Sequence, residues 1–200
     1  MDKIKVSNVF AAVFEKEVLD PLVDVLKKNA EPSVVVQEGP DISSGLKFFG
    51  TLGTTEYLRK KGVDAISVVK GFDFDGRVKT LSRPVFSAVL ADRTKPEHIK
   101  ELSMLNIPPM DLVVVDLYAP DEKIFPESMD IGGQSLIRSA IKNYKNVALA
   151  FDEVSLTELV EHLKANDAST TVEFRKQQAV KASQFIADRC ALEAELFKKV

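Results

Sequence analysis

The sequence lacks the features of a disulfide-rich or membrane-spanning protein. Its 200 residues include a single cysteine, Cys190. One cysteine excludes an internal disulfide framework and a cysteine-based zinc site, and suits a reducing compartment. We expect Cys190 to be a buried or half-buried helix residue. No apolar run approaches the roughly 20 residues of a membrane span, and the opening MDKIKVSN lacks the apolar core of a signal peptide. We therefore expect a soluble, cytoplasmic protein with no membrane partner.

The chain also has no large excess of either charge. It carries 27 basic and 30 acidic residues, mixed along its length, for a net charge of −3. This balance provides no overall field that would attract nucleic acid, so any anion must be bound by a local cluster. The two histidines, His98 and His162, lie in charged helical contexts, and we expect both at the surface. No nucleic-acid partner is expected.

Apolar runs alternate with segments of helical spacing along the chain. A hydrophobic fraction of 45% in 200 residues is enough for one sizeable core. The apolar runs predict strands centred near Phe10, Phe48, Ile66, Val89, Val114 and Leu149. Residues 172–200 predict one long or broken helix. The alternation predicts a single α/β domain with a mainly parallel sheet and helices on both faces.

The stretch from 111 to 143 is the most informative part of the sequence. Its apolar run from Leu112 to Val115 is typical of a strand buried on both faces, which should end near Tyr118. Asp130 and a Gly-Gly pair then precede a segment of helical spacing. These features together indicate a polar pocket at the carboxyl end of a strand. They are a carboxylate, a helix start and backbone N–H groups that the glycines leave accessible.

Residues suited to an anion occur in three further places. Lys16 follows the first apolar run, and the run GTLGTT at 50–55 leads into a helix whose first-turn N–H groups and dipole favour a phosphate. Arg77 and Lys79 alternate in a segment that we expect to be extended, so their side chains should point toward one anion. Taken alone, these patterns are equally typical of a solvated turn lysine, an ordinary N-cap and a solvated basic edge.

Three blocks of this sequence resemble motifs of one enzyme family. The blocks DLVVVDLYAP and MDIGGQSLIRSAIKN resemble the family's NLYPF and IDIGG…LLRAAAKN, and DGRVKTLSRPVFSAVLA resembles GGRVKTLHPxVHxGILA. The closing EFRKQQAVKASQFIA is similar to the family's ETRRQLALKAF region. The family is IMP cyclohydrolase, the amino-terminal domain of the bifunctional enzyme AICAR transformylase/IMP cyclohydrolase. The resemblance begins near Val9 and covers nearly the whole chain.

This resemblance implies a fold, an activity and partners. The fold would be methylglyoxal-synthase-like, with residues 1–200 as one cyclohydrolase-like domain and 29–45 as an insertion. The activity would be closure of the purine ring of 5-formamidoimidazole-4-carboxamide ribonucleotide, giving IMP and water in de novo purine biosynthesis. No metal, redox cofactor or ATP would be needed. The chain stops where the family's transformylase domain would begin, so it would be either a stand-alone cyclohydrolase or an excised domain. Beside the nucleotide substrate, a separate AICAR transformylase is the partner expected in the first case. A homodimer is also expected.

The resemblance further implies which residues form the active site. The implied catalytic residues are Lys79, Tyr118, Asp130 and Lys142. The implied substrate-binding residues are Lys16, Thr51, Gly53, Thr54, Arg77, Thr80, Asp116 and Gly132. Asp130 would orient or deprotonate the carboxamide. Lys79, with N–H groups near Gly132, would stabilise the developing oxygen charge. Lys142 and Tyr118 would assist proton transfer as water leaves.

The sequence departs from the family at several motif positions. The family's Ser-Asp-Lys-Thr-Gly turn keeps its lysine as Lys16, but its serine, threonine and glycine are replaced by Phe14, Glu17 and Val18. Other replacements are Leu52 for a glycine, Ser82-Arg83 for a His-Pro pair, Phe86 for a second histidine and Asp116 for an asparagine. Two alternatives therefore stay open: an inactive nucleotide-binding or regulatory domain of the same fold, and methylglyoxal synthase acting on dihydroxyacetone phosphate.

Overall fold

Strands and helices alternate through the computed structural model, which describes residues 2–29, 45–69, 71, 74–116 and 118–199. The strands are β1 (Lys3–Lys5), β2 (Asn8–Ala12), β3 (Lys47–Gly50), β4 (Ala65–Ser67), β5 (Leu112–Val115), β6 (Ala148–Ala150) and β7 (Ser169–Thr171). The helices are α1 (Asp20–Lys28), α2 (Leu52–Lys60), α3 (Arg83–Leu90), α4 (Pro96–Met104), α5 (Ile131–Lys142), α6 (Glu153–Ala165) and α7 (Val172–Phe197). Nearly all of the predicted insertion, residues 30–44, lies outside the described residues.

The central sheet has the strand order β4-β3-β2-β5-β6, and all of its described pairings are parallel. Phe10 of β2 lies opposite Phe49 of β3 on one side and Val113 of β5 on the other. From β2 the chain adds β3 and β4 in one direction, whereas β5 and β6 extend the sheet in the other. The carboxyl ends of β2 and β5 therefore flank a crevice at the point where the strand order reverses.

Each face of the sheet is covered by its own set of helices. Successive strand residues point to opposite faces, so Val9 and Ala11 pack with α1 and α6, while Phe10 packs with α3, α5 and α7. All residues of β3, β5 and β6 are buried, so both faces of these strands are covered. The arrangement confirms the predicted α/β class, with a parallel sheet between two helical layers.

One predicted strand is wrong. The segment around Val89 forms the helix α3 instead, with Pro84 in its first turn. Its buried residues Val85, Ala88 and Val89 follow the helical spacing of three and four positions and pack against one face of the sheet. A short apolar run fits a strand or a buried helix equally well, and here the proline in the first turn favours the helix.

The carboxyl-terminal part of the chain forms one continuous helix. α7 extends over 26 residues, and the short antiparallel pair of β1 and β7 precedes it. Within the described ranges, no helix, α7 included, combines the length and the apolar character that a membrane crossing requires. Cys190 lies exposed on α7, which corrects the prediction that it is buried or half-buried.

The two histidines are half-buried, and not surface residues as predicted. His162 stacks on Phe174 with ring centroids 4.0 Å apart, and its Nε2 accepts the backbone N–H of Thr171 at 3.3 Å. His98 Nδ1 accepts the backbone N–H of Asp92 at 3.1 Å. Both imidazoles therefore act as local structural acceptors.

Candidate functional site

A large cavity opens at the carboxyl ends of the central strands. It encloses about 1200 Å³, and its walls come from the loops after β2, β3, β4 and β5, from residues 75–80 and from the start of α5. The predicted site residues that line it are Lys16, Thr51, Gly53, Arg77, Lys79, Thr80, Asp116, Tyr118, Asp130 and Gly132. The predicted residues Thr54 and Lys142 do not line it. The fold therefore gathers most of the predicted site from five separate parts of the chain.

One end of the cavity is suited to an anion. Thr51 is the N-cap residue of α2 and makes no side-chain capping hydrogen bond. Its hydroxyl lies 3.2 Å from that of Thr54, which is fully buried behind the cavity wall. A Cβ atom at Gly53 would lie 3.8 Å from Cε of Lys16, so the lysine side chain passes beside the helix start. First-turn N–H groups, a helix dipole and an ammonium group together favour a phosphate.

Asp116 holds the Lys16 loop against the end of β5. Both of its carboxylate oxygens accept the backbone N–H of Phe14, at 2.7 and 2.8 Å. Burial raises the pKa of Asp116, although hydrogen bonds from the backbone of Phe14 and Glu15 oppose the increase. This carboxylate lines the cavity as predicted, and its resolved contacts fix the loop that carries Lys16.

Two aromatic side chains stand at the cavity rim. Phe14 and Tyr118 are 66% and 51% exposed, and their ring centroids lie 5.8 Å apart. Nζ of Lys16 lies 5.6 Å from the centroid of the Phe14 ring and also donates to the Phe14 carbonyl oxygen. Burial raises the pKa of Tyr118, and the negative charges of Asp130 and Asp116 raise it further. A phenol with a raised pKa keeps its proton at neutral pH and can donate it in a hydrogen bond.

The segment with Arg77 and Lys79 forms a turn, which corrects the prediction of an extended segment. Phe74, Asp75 and Gly76 all have positive φ angles, of 52°, 55° and 90°, and this left-handed backbone reverses the chain. Arg77 pairs with Glu127, which lines the same cavity. The Lys79 side chain folds back over Gly76, where a Cβ atom would lie 2.7 Å from Lys79 Cε. The two basic groups thus line one cavity with different neighbours.

Asp130 is the N-cap residue of α5. Its Oδ1 accepts the backbone N–H of Gly133 at 2.7 Å, and the Gly132 N–H also stabilises the carboxylate. Burial nevertheless raises the pKa of Asp130. A Cβ atom at Gly132 would clash with the Thr80 hydroxyl, so the glycine brings the start of α5 against the basic turn. The N–H groups at the start of α5 thus lie beside Asp130, and their predicted role at the developing oxygen charge stays a prediction.

Lys142 lies away from the cavity. It is exposed in the last turn of α5, whereas the first turn of that helix forms the cavity wall. Ile131 and Lys142 are eleven steps apart along the helix, which corresponds to about 16 Å at about 1.5 Å per residue. The structure therefore places Lys142 at the other end of α5 from Asp130, and its predicted catalytic role stays a prediction.

The structure also adds residues from α7 that the sequence did not indicate. Nη1 of Arg189 donates to the backbone carbonyl of Tyr118 at 2.8 Å, across a sequence separation of 71 residues. The buried Glu193 accepts from Nε2 of Gln134 at 2.5 Å. Both Arg189 and Glu193 belong to a helix in which polar and apolar residues are mixed, and this sequence pattern does not indicate either contact. In the part of the chain that the structure describes, no three His, Cys, Asp or Glu side chains are grouped to hold a metal ion.

Comparison with known proteins finds relatives named bifunctional purine biosynthesis protein PurH. The chain is 36% identical over 159 residues to PurH of Limosilactobacillus reuteri, 38% over 166 residues to that of Streptococcus mutans and 37% over 155 residues to that of Staphylococcus carnosus. These matches include 73%, 76% and 71% of this chain but 31%, 32% and 31% of the relatives. The chain therefore spans about a third of the length of the curated relatives it matches.

A solved structure resembles the whole chain. The crystal structure of ForH matches with a TM-score of 0.73 at 26% sequence identity, and the match covers 96% of this chain and 98% of ForH. No protein-family model matches the chain. The similarity to PurH thus concerns one domain-sized part of a longer protein. The similarity to ForH extends over almost the full length of both chains.

Proposed function

We propose that this chain, a homologue of one domain-sized part of the bifunctional purine biosynthesis proteins PurH, acts in purine biosynthesis as an IMP cyclohydrolase. Its substrate would be 5-formamidoimidazole-4-carboxamide ribonucleotide, and its products IMP and water. The observation that carries the proposal is the position of Asp130. A carboxyl group with a raised pKa lies at a helix start, in one cavity with Lys79 and Tyr118.

The cavity has the size and the polarity that a nucleotide requires. Its volume of about 1200 Å³ exceeds the usual range for small-molecule sites, roughly 300 to 1000 Å³. The phosphate fits the anion-suited end, where Lys16 passes beside the start of α2. The heterocycle then reaches toward Asp130, Tyr118 and Lys79. This orientation separates the part of the substrate that is unchanged from the part that reacts.

Ring closure forms one bond and releases one water. The carboxamide nitrogen attacks the formyl carbon and loses a proton, while the formyl oxygen gains one. The resulting hydroxyl group then leaves as water with the hydrogen of the formamide nitrogen, which forms the C=N bond of the new ring. Both reacting groups belong to one molecule, so the protein contributes mainly by holding the reactive rotamer and moving protons.

Each residue at the reacting end has a role that fits its surroundings. Asp130 accepts the proton of the carboxamide, because its raised pKa makes it a stronger base than an exposed aspartate. Tyr118 keeps its own proton and donates a hydrogen bond to the formyl oxygen. Lys79 stabilises the negative charge that develops on this oxygen. These steps use side chains only, so the proposal includes no metal, redox cofactor or ATP.

The proposal also includes the setting of the reaction. We propose a cytoplasmic homodimer that receives its formylated substrate from a separate AICAR transformylase. Formyl transfer to the exocyclic amine must precede ring closure, because it supplies the carbon that the carboxamide attacks.

The test is direct turnover by the purified protein. We expect the formylated ribonucleotide to be converted to IMP without added metal or nucleotide, followed by the increase in absorbance as the purine forms. Asp130→Asn should abolish most of this turnover while binding of IMP persists. IMP binding without turnover by the unchanged protein would instead indicate a regulatory nucleotide-binding domain. Release of methylglyoxal from dihydroxyacetone phosphate would indicate the other enzyme class, and either result would overturn the proposal.

A further inference from the structure

The end of α7 packs along the segment that connects β5 to α5. Together with the first turn of α5, this segment extends over residues 118–134 and carries both Tyr118 and Asp130. Two hydrogen bonds join it to α7: Arg189 donates to the Tyr118 carbonyl at 2.8 Å, and Glu193 accepts from Gln134 at 2.5 Å. The rings of Phe197 and Phe125 also pack together, with centroids 4.6 Å apart. Just after the helix, Lys199 forms an ion pair with Glu122 at 3.0 Å. One helix thus contacts the segment at its beginning, its middle and its end.

Arg189 differs from the other members of this contact set because it acts on both proposed catalytic residues. Its guanidinium group holds the backbone of Tyr118 and lies 5.8 Å from the centroid of the Phe185 ring, which fixes the direction of the side chain. Its positive charge also lowers the pKa of Asp130 and so opposes the effect of burial. The cavity that Asp130 lines also has the charged or titratable side chains of Lys16, Asp75, Arg77, Lys79, Asp116, Tyr118 and Glu127, and Glu193 of α7 contacts Gln134 in the first turn of α5.

We propose that Arg189, on a helix outside the cavity, is a positioning residue that holds the backbone of Tyr118 and the start of the segment leading to Asp130 in place. The hydrogen bond to the Tyr118 carbonyl restrains the backbone from which the phenol extends. The nearby positive charge favours the carboxylate form of Asp130, which is the form that can accept a proton. The catalytic part of this inference rests on the proposed ring-closing function, whereas the electrostatic part does not.

The experiment compares three variants in the full chain. Arg189→Met removes the charge and the donor but keeps an unbranched side chain. Arg189→Lys keeps the charge. Lys181→Met removes a positive charge from the same helix, where Lys181 pairs with Glu158, and serves as the control. The Asp130 carboxyl carbon is titrated by ¹³C NMR in the free protein, and kcat and KM are measured across pH.

Arg189→Met should raise the pKa of Asp130, move the acidic limb of the kcat profile upward and lower the plateau of kcat about tenfold or more. Arg189→Lys should titrate close to the unchanged protein, and Lys181→Met should leave both readouts unchanged. An unchanged Asp130 titration in Arg189→Met would overturn the inference, as would an equal shift in Arg189→Lys. The titration needs no turnover, so failure of the proposed function would be seen separately, as a lack of product.

Discussion

At the scale of single residues, Asp116 illustrates how burial of a charged site residue lowers the stability of the folded chain. Burial raises its pKa above the ordinary value of 3.8. The folded state then binds the proton more tightly than the unfolded state does, so protonation of Asp116 stabilises the fold at pH values below 3.8. This stabilisation is lost as the pH rises through the pKa that Asp116 has in the folded state. The asparagine of Asp116→Asn does not titrate, so this variant does not lose stability in this way as the pH rises. Its melting temperature relative to the unchanged protein should therefore increase between about pH 4 and about pH 7.

Calorimetry at these two pH values measures the effect. Asp24→Asn, at an exposed position on α1, controls for the loss of one negative charge. An asparagine oxygen can still accept the Phe14 N–H, so the variant should keep the loop in place. A melting-temperature difference that is the same at both pH values would show that burial of the Asp116 carboxyl does not govern the effect.

The two ends of the cavity should respond differently to substitution. The phosphate is unchanged by ring closure, so contacts from Lys16 stabilise substrate and transition state alike, and Lys16→Ala should mainly raise KM. Asp130 contacts atoms whose bonding changes, so Asp130→Asn should lower kcat by roughly 10²-fold or more. Lys142→Ala should lower kcat less than Asp130→Asn, because the exposed Lys142 lies at the other end of α5.

Steady-state kinetics on the three variants checks this assignment, with folding verified by circular dichroism. Arg138→Ala, at an exposed position on α5, is the matched control and should leave both constants unchanged. If Asp130→Asn kept its kcat while Lys16→Ala abolished turnover, the phosphate end and the reacting end would be exchanged and the proposed mechanism would be wrong.

At the scale of elements, the β2–β3 pairing requires a glycine where the chain enters the site. A Cβ atom at Gly50 would clash with the backbone carbonyl oxygen of Ala11, its partner in the parallel pairing. A backbone atom cannot rotate away, so Gly50→Ala should separate the strand ends and destabilise the fold by more than about 2 kcal/mol. Urea unfolding measures the loss. Gly53→Ala is the matched control, since its Cβ would meet only Cε of Lys16 at 3.8 Å.

A small stability change in Gly50→Ala, no larger than in Gly53→Ala, would contradict this account of the pairing. If the account is right, Gly50→Ala should also weaken nucleotide binding, because Thr51 and the start of α2 follow Gly50 directly. Isothermal titration with IMP separates this local effect from the effect on overall stability.

The accuracy of the sequence prediction also varies between elements. β2, β3, β5 and β6 were predictable because each is a short apolar run that the sheet buries on both faces. The helix around Val89 was mistaken for a strand because a buried helix and a buried strand can show the same short run of apolar residues. The segment with Arg77 and Lys79 was mistaken for an extended one because alternate residues share one side only where the backbone is extended, whereas the positive φ angles of Phe74, Asp75 and Gly76 reverse the chain just before it.

At the scale of the whole molecule, the order of the parallel strands explains why several of the predicted site residues meet. Lys16, Thr51 and Asp116 lie together because β2, β3 and β5 end at one edge of the sheet. The distance of Lys142 from the cavity depends on the length of α5, and the contact of Arg189 depends on the packing of α7 across the sheet. Such contacts follow from three-dimensional packing, which the spacing of residues in one helix does not specify.

Arg175 connects distant parts of the chain from the interior. It is 1% exposed, and its guanidinium donates to the backbone carbonyls of Tyr144 at 3.0 Å, Lys145 at 3.0 Å and Thr170 at 2.6 Å. It thus joins the start of α7 to β7 and to the turn between α5 and β6. Burial lowers the pKa of Arg175, which is the cost of placing a cation there.

Arg175→Ala should lower the free energy of unfolding by roughly 3 to 5 kcal/mol, because three carbonyl groups lose their donor where water does not replace it. Arg175→Lys should recover only part of this loss, since an ammonium group cannot reproduce the planar fork of donors. Urea unfolding measures both variants. Arg138→Ala, at an exposed position on α5, is the control and should change stability by less than about 0.5 kcal/mol. A loss in Arg175→Ala as small as that of the control would mean that the carbonyl groups find other donors, and that α7 is held in place by its apolar contacts with the sheet.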